Sequence, residues 1–400
     1  MIDVTKAESI ILAQARLMDE EMVSFSKAYG RILREKIICD RDQPPLNKST
    51  MDGVAVSHQS FTEGLRKFPI QGIIAAGSSP RAVLHKESCF KIMTGAAVPV
   101  GADAIIPIEY VNIENNNAIV RKLNRIDLNW NIRLKGSDCA KGTILSKSGQ
   151  ILSAVSIATA ASVGKVKLKV SRKPKVAIIS TGDELVAVEK SSIKPYQARM
   201  SNSYALQASI HSSGLGESRI FHLKDNPKEM LTSIRKILQS FDVLILSGGV
   251  SKGDYDYVPE ILEKLKVQKL FHQVAQKPGK PFWFGKNAKG NVVFALPGNP
   301  VSTLVCCYRY VLPFLKKCSG QSVVTESVAI NHSINGNEEL TLFPVVRKIN
   351  NSDGRLLVEM VKSGGSGDFA SLAQADGFVE LQRGRTVFPK DSLVSFYPWI

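Results

Sequence analysis

The sequence predicts a multidomain α/β plus β protein. A central α/β domain with a parallel-type sheet is joined to an inserted β-rich domain and a C-terminal β domain. Three observations lead there. The runs KVAIIS (175–180), DVLILS (242–247) and VVFAL (292–296) are continuous apolar stretches that alternate with helical spacing, as buried parallel strands covered on both faces do. Residues 47 to about 135 and 323 to 400 break instead into short apolar runs separated by Gly, Pro and Asn, the pattern of β-rich pieces. Finally, 400 residues exceed one domain of about 100–200 residues.

The elements follow in order. Thr5 and Glu8 have capping-box spacing ahead of Ile10, Ile11, Ala13 and Leu17, so the chain opens on a helix. Gln43-Pro44-Pro45 breaks it off from the β-rich stretch. ILSAVSIATAASV (151–163) reads as a helix of small and aliphatic residues. The strand at 175–180 ends in Thr181-Gly182. A helix over 202–213 stops at Gly214. Another over 227–240 starts at Pro227 and keeps Leu231, Ile234 and Leu238 in helical register. The strand at 242–247 runs into Gly248-Gly249, a helix covers about 258–266, and the strand at 292–296 leads through PGNP into a long apolar helix from Val301. In the tail, TLFPVV, RLLVEM, GFVEL and SLVSFY read as strands, with a turn at Asn351-Ser352-Asp353-Gly354. Repeats are absent.

Composition narrows the function. The net charge is +16. Residues 1–172 hold 24 basic against 16 acidic groups, residues 173–320 hold 21 against 11, and residues 321–400 hold 7 against 9. The first two segments therefore attract anions. The basic residues form neither long runs nor an aromatic-basic array, so nucleic acid is not the expected partner. No apolar stretch approaches the roughly 18 residues of a bilayer span. The N-terminal residues MIDVTKAESIILAQARL include acids and lack a cleavage site, so no signal peptide and a cytoplasmic location are expected. Six cysteines without C-x-x-C spacing argue against a zinc site or a disulfide framework. Cys306 and Cys307 read as buried thiols in a helix.

Chemistry is expected where loops leave the carboxyl ends of the parallel strands, since ligands of open α/β sheets bind in that crevice. Three loops qualify: Ser180-Thr181-Gly182-Asp183-Glu184, Ser247-Gly248-Gly249-Val250-Ser251-Lys252-Gly253-Asp254-Tyr255-Asp256, and Leu296-Pro297-Gly298-Asn299-Pro300. Gly248 and Gly249 allow backbone amides to approach an anion, and Ser251 lies beside them. The loop matches neither the Walker nor the dinucleotide-binding pattern. Glu184 and Asp256 suit a hard cation such as Mg2+ shared with substrate phosphates, whereas Asp183 and Asp254 suit helix capping. Lys277 and Lys280, in a turn stiffened by Pro278 and Pro281, present two charges to a diphosphate or oxyanion. Asp52, Thr94 and Asp138 sit in turns where a polar residue beside glycine is more often a loop cap. No metal-binding pair of histidines and no nucleophile elbow occur.

With these pieces in view, the sequence resembles the molybdopterin molybdenumtransferase family of the MoeA type, which includes the gephyrin E domain. The resemblance rests on PPLNKSTMDGVAV, IMTGAAVPVGADAIIPIEYV, NIRLKGSD, VAIISTGDELV, DVLILSGGVSKGDYDYV, QKPGKPFWFG and ALPGNPVS, in family order. It extends through the tail GSGDFASLAQADGFVELQRG. It implies a linker and dimerisation domain (1–46 and 136–173), the inserted β-rich domain (47–135), a molybdopterin-binding α/β domain (174–322) and a C-terminal β domain (323–400). It implies a homodimer with a crevice completed across subunits, and insertion of molybdate into adenylylated molybdopterin with release of AMP, assisted by a divalent cation. Molybdopterin adenylyltransferase and molybdoenzyme-maturation proteins are the partners it suggests.

By similarity, Glu184, Asp225 and Asp256, with Asp52, Thr94 and Asp138 from the neighbouring domains, form the catalytic set. Gly248, Gly249, Ser251, Lys277, Lys280, Pro297, Gly298, Asn299, Pro300, Arg347 and Ser366 bind substrate. The chain departs from the family pattern at Leu46-Asn47-Lys48-Ser49, at Val54, at Lys252 and at Met200, where the family carries an acid before Ser-Asn or Thr-Asn. That missing acid keeps a noncatalytic pterin-binding or scaffold role as the alternative.

Overall fold

The computed structural model describes residues 1–79, 85–250, 257–350 and 354–399. The chain begins with helix α1 (Val4–Ala13), whose N-cap is Asp3, accepting from the Lys6 amide at 2.7 Å. The expected Thr5–Glu8 box does not form. A cap residue must be non-helical, Thr5 already lies in the first turn, and Glu8 is drawn to Arg309. Val4, Ala7 and Ile11 join the core of the central sheet. α1 thus packs on the α/β domain although its neighbours in sequence belong to the linker.

The linker is built from two distant segments. Strand Glu20–Ser24 pairs antiparallel with Lys167–Ser171, and Ile37–Ile38 with Ile144–Ser146. Val23, Leu33, Ile37, Leu152, Ala160 and Leu168 form a core of their own beneath helix α2 (Ala154–Ser162). Between those segments a six-stranded sheet folds from Gly53–Val56, Lys67–Ile74, Cys89–Ile92, Ala104–Pro107, Val111–Glu114 and Asn117–Val120, around Val54, Phe68 and Ile106 on one face and Phe90, Ile92 and Ile105 on the other.

The central sheet has six strands: β1 (Lys175–Thr181), β2 (Glu217–Leu223), β3 (Val243–Ser247), β4 (Gln268–His272), β5 (Trp283–Lys286) and β6 (Val292–Leu296), in the order β2-β1-β3-β6-β5-β4. The first four in that order are parallel; β5 and β4 are antiparallel additions. The sheet is therefore mixed, because the links 273–282 and 287–291 that join β4 to β5 and β5 to β6 are shorter than the dozen or so residues a parallel crossover needs. Helices α3 (Asn202–Ser212), α4 (Pro227–Ser240) and α5 (Val258–Lys264) cross between strands. α4 starts behind an Asn226 cap and carries Pro at its first turn, where the missing N–H is not needed. Two cores cover the faces: Ile178, Ile245 and Phe294 on one, Ile179, Leu246 and Ala295 on the other.

After β6 the chain forms α6 (Pro300–Cys306), a π-helical stretch (Cys307–Val311) and α7 (Leu312–Ser319), ended by Gly320 in the left-handed region. The tail closes a barrel from Glu326–Ile330, Val345–Asn350, Leu356–Met360, Gly377–Glu380 and Leu393–Pro398. Phe343 and Phe378 from this tail enter the central core, so the barrel is docked on the α/β domain. The expected turn at Asn351-Ser352-Asp353 lies outside the described residues.

Candidate active site

The loops expected to converge do so. β1, β3 and β6 run parallel and in register, so Ser180, Ser247 and Leu296 end side by side. Asn202 at the start of α3 ties the loops together: its amide nitrogen lies 3.0 Å from Ser247 Oγ, 2.7 Å from the Gly298 carbonyl and 3.2 Å from Thr303 Oγ1. Thr303 in turn donates to the Pro297 carbonyl at 2.6 Å. His222, at the end of β2, meets the Gly182 carbonyl through Nε2 at 3.2 Å, the tautomer with a proton on Nε2.

Glycine is required at two of these turns. Gly182 has φ +137°, and a Cβ there would lie 2.5 Å from Glu184 Oε2; the Glu184 carboxylate folds back over that bare backbone. Gly249 has φ +69°, and its Cβ would lie 2.9 Å from Val258 Cγ2 and 3.1 Å from the buried Thr181 hydroxyl. A side chain at either turn would be both strained and crowded.

A cavity of about 390 Å³ opens over these turns, lined by Gly182, Glu184, Asp225, Gly248, Gly249 and Asn299. Asp225 reaches it from the loop after β2. The amides and carboxylates of Asp183 and Asp225 are joined reciprocally, at 3.4 and 3.3 Å. Asp183 thus fixes the Asp225 loop instead of capping a helix; the chain after it turns into a short strand, Leu185–Val186. A neighbouring pocket of about 220 Å³ shares Glu184 and Gly248 and is walled by Arg199, Met200, Asn202 and Phe369.

A larger cavity, about 790 Å³, lies between the α/β domain and the barrel. Leu342, Phe343, Val345 and Val361 make its apolar wall, and Lys277, Lys280 and Lys362 line it as well. Pro281, Pro297 and Asn299 belong to both this cavity and the acidic one, so the two adjoin. Asn299 donates to Ser366 Oγ at 2.7 Å, and the Val301 amide donates to the Ser366 carbonyl at 3.0 Å; Ser366 seats the barrel loop on the PGNP turn. The lysine turn is held from below by Gln276, fully buried, which donates to the Pro278 carbonyl at 3.1 Å and accepts from the Tyr310 hydroxyl.

Of the residues singled out from the sequence, Glu184, Asp225, Gly248, Gly249, Lys277, Lys280, Pro297, Gly298, Asn299, Pro300 and Ser366 line these cavities. Arg347 does not: it pairs across the barrel with Glu359 on the neighbouring strand. Asp52, Thr94 and Asp138 are not in the lining either. Asp52 accepts from the Thr94 amide and hydroxyl, each at 2.7 Å, and those two bonds hold its carboxyl below the usual range. Asp138 pairs with Arg133 at 2.7 Å. Ser251 and Asp256, with Lys252 and Asp254, lie outside the described residues. The supporting role of Gln276 and the apolar barrel wall escape a reading of the sequence, because a buried amide and distant aliphatic residues carry no local signal; Asn202 is marked there only as part of the motif that lacks its acid at Met200.

Three family models match in series: the MoeA N-terminal region, domains I and II, over residues 2–164; a probable molybdopterin binding domain over 177–317; and the MoeA C-terminal region, domain IV, over 333–399. A molybdopterin molybdenumtransferase of Synechocystis is 36% identical over 400 residues, covering 100% of both chains. The chain belongs to the MoeA family of molybdopterin molybdenumtransferases. A second such relative, from Nostoc, is 34% identical and matches 95% of this chain and 89% of its own length. The crystal structure of a molybdopterin biosynthesis MoeA protein from Pyrococcus horikoshii superposes with a TM-score of 0.85 at 29% identity, covering 100% of this chain and 99% of that one. The MoeA architecture therefore accounts for the whole described molecule, from the inserted sheet to the closed barrel.

As to a cation, Glu184 and Asp225 supply two hard carboxylates to one cavity, a donor set that suits Mg2+ with the remaining positions left to water or phosphate oxygen. The fold-back of Glu184 over Gly182 brings its carboxylate to that wall. Among the described residues no group of three or more His, Cys, Asp or Glu is placed to hold a metal ion. No helix among those residues is long and apolar enough to cross a membrane.

Proposed function

We propose that this chain inserts molybdate into adenylylated molybdopterin and releases AMP. The observation carrying this reading is the adjacency of an acid-lined cavity to a lysine-lined apolar one across Pro281, Pro297 and Asn299. A flat, partly apolar pterin bearing a pyrophosphate needs that combination. The apolar barrel wall accepts the ring system. Lys277 and Lys280, both exposed at the cavity wall, neutralise the phosphate or the molybdate as mobile point charges. Gly248 and Gly249, lacking side chains, let a phosphate approach the main chain. A divalent cation held by Glu184 and Asp225, with Asp256 as a further candidate, would screen the pyrophosphate charge.

The working unit in this reading is a homodimer. α2 buries only Ala160, and Val155 is 75% exposed beside Ile151 at 55%, an apolar face suited to a second copy. Within one copy the described residues lining the three cavities come from position 180 onward. Asp52, Thr94 and Asp138 would therefore act on the crevice of the other copy.

The test is AMP release from adenylylated molybdopterin with molybdate and Mg2+. Glu184→Ala is expected to lower the rate by about 10²-fold; a variant as fast as the parent would overturn the assignment. Met200, in the pocket wall beside Asn202 where the family has an acid, favours a second reading as a noncatalytic pterin binder. That reading requires tight pterin binding without AMP.

A further inference from the structure

Two of the six cysteines touch. Cys39 and Cys139, 100 positions apart, have Sγ atoms 2.9 Å from each other. They lie where the chain leaves for the inserted domain and where it returns. The backbone there is already paired: the Cys39 amide donates to the Thr143 carbonyl at 2.9 Å, Gly142 donates back to Cys39 at 2.8 Å, and Gln43 donates to Cys139 at 2.9 Å. Cys39 is buried and gives its single thiol proton to the Arg41 carbonyl at 3.0 Å. Cys139 is therefore the donor in the sulfur contact, and it is the partly exposed member. The other thiols are placed differently. Cys89, Cys306, Cys307 and Cys318 are all buried, and burial pushes Cys89, Cys306 and Cys318 up to about 12.

We propose that Cys39 and Cys139 form a redox-modification site, which a low-molecular-weight disulfide such as oxidised glutathione converts to a protein disulfide that fastens the neck of the inserted domain. The accessible Cys139 thiolate attacks one sulfur of the oxidant. A mixed disulfide forms and the first glutathione leaves. Cys39 then attacks the Cys139 sulfur, expelling the second. The protein loses two electrons and two protons, and both end on two molecules of reduced glutathione. The bridge joins segments that are already hydrogen-bonded, so the inserted domain is enclosed in a covalent loop without rearrangement. The hydrogen bond to Cys39, and then burial, raise the Cys139 thiol to about 11. Thiolate is thus scarce at neutral pH, and oxidation speeds up as pH rises toward that value.

The full chain is purified under reductant, freed of it, and incubated with oxidised glutathione at pH 7 and pH 9. It is then alkylated and digested without reduction. The expected result is one linked peptide pair containing Cys39 and Cys139, lighter by two hydrogens, formed faster at pH 9, reversed by dithiothreitol, and accompanied by a higher Tm. In Cys39→Ser the same treatment leaves glutathione on Cys139, which shows the order of attack even if that variant is less stable. Recovery of both residues fully alkylated, of a persistent glutathione adduct in the parent chain, or of a linked protein with unchanged Tm would overturn the proposal. None of these readouts uses the pterin substrate, so the outcome is separate from the catalytic reading.

Discussion

Asp242 illustrates what single side chains contribute. It accepts from Arg172 at 2.8 and 3.1 Å and from the Lys175 amide at 2.7 Å. Burial pushes its carboxyl up, but the guanidinium and the amide outweigh that and leave it below the ordinary 3.8. A carboxyl lowered on folding stabilises the native state above its unfolded pKa, and the contribution disappears as pH falls through the folded value. Asp242→Asn should therefore lower Tm at pH 7 and make no difference well below pH 3.8; an equal loss at both pH values in a thermal-melt series would contradict this origin. At Gly182 the prediction concerns function. Gly182→Ala places a methyl on the Glu184 carboxylate in a backbone region costing about 1–3 kcal/mol for other residues. AMP release should fall more steeply than stability, as compared by rate assay and urea titration. The acidic cavity was legible at this scale because Glu184, Gly248 and Gly249 follow apolar strands directly. Arg347 was not, since nothing local in the tail shows that Glu359 stands opposite it.

Among the elements, the π-helical stretch Cys307–Val311 matters most. Its wide turn carries Arg309 inward, where the guanidinium is 6% exposed and binds Glu380, itself 8% exposed, at 2.8 Å and Glu8 at 2.8 Å. Three parts of the chain meet there: α1, the helix after β6, and the barrel. Removing one member leaves an uncompensated buried charge. Arg309→Met is expected to cost about 3–5 kcal/mol in urea unfolding, with much of the loss recovered when Glu8→Gln and Glu380→Gln are added. A loss that the extra changes do not relieve would point to packing instead. Strands β1, β3 and β6 and helix α4 were readable almost to the residue, since buried parallel strands are unbroken apolar runs and Pro227 marks a helix start. β4 and β5 were harder. Gln268–His272 mixes exposed and buried positions, and its antiparallel direction follows from turns rather than composition.

For the whole molecule, the proposed dimer places the exposed α2 face at the contact between copies. Val155→Asp, on a residue 75% exposed, should leave folding intact while shifting sedimentation from dimer to monomer. In the proposed mechanism AMP release falls with it, because Asp52 and its neighbours are lost to the opposite crevice. A variant that remains dimeric would move the interface elsewhere. The multidomain α/β plus β class was visible in the sequence as the contrast between unbroken apolar runs in the middle of the chain and short, interrupted ones on either side. The attachment of α1 was not, because three buried aliphatic residues do not announce which core receives them.

The linker strand Glu20–Ser24 meets its partner only at Lys167–Ser171, and α1 shares its core with Phe314, Leu315 and Cys318 of α7, while the segment just after it is tied there by the Met18 amide, which donates to the Cys318 carbonyl at 2.9 Å. On the ribosome these early segments must wait for later ones. At a synthesis rate of about 5–20 residues per second, the linker strand stands unpaired for on the order of ten seconds and α1 for longer. The inserted sheet, whose partners are all close in sequence, can finish first, so the nascent chain has its guest domain folded before its host.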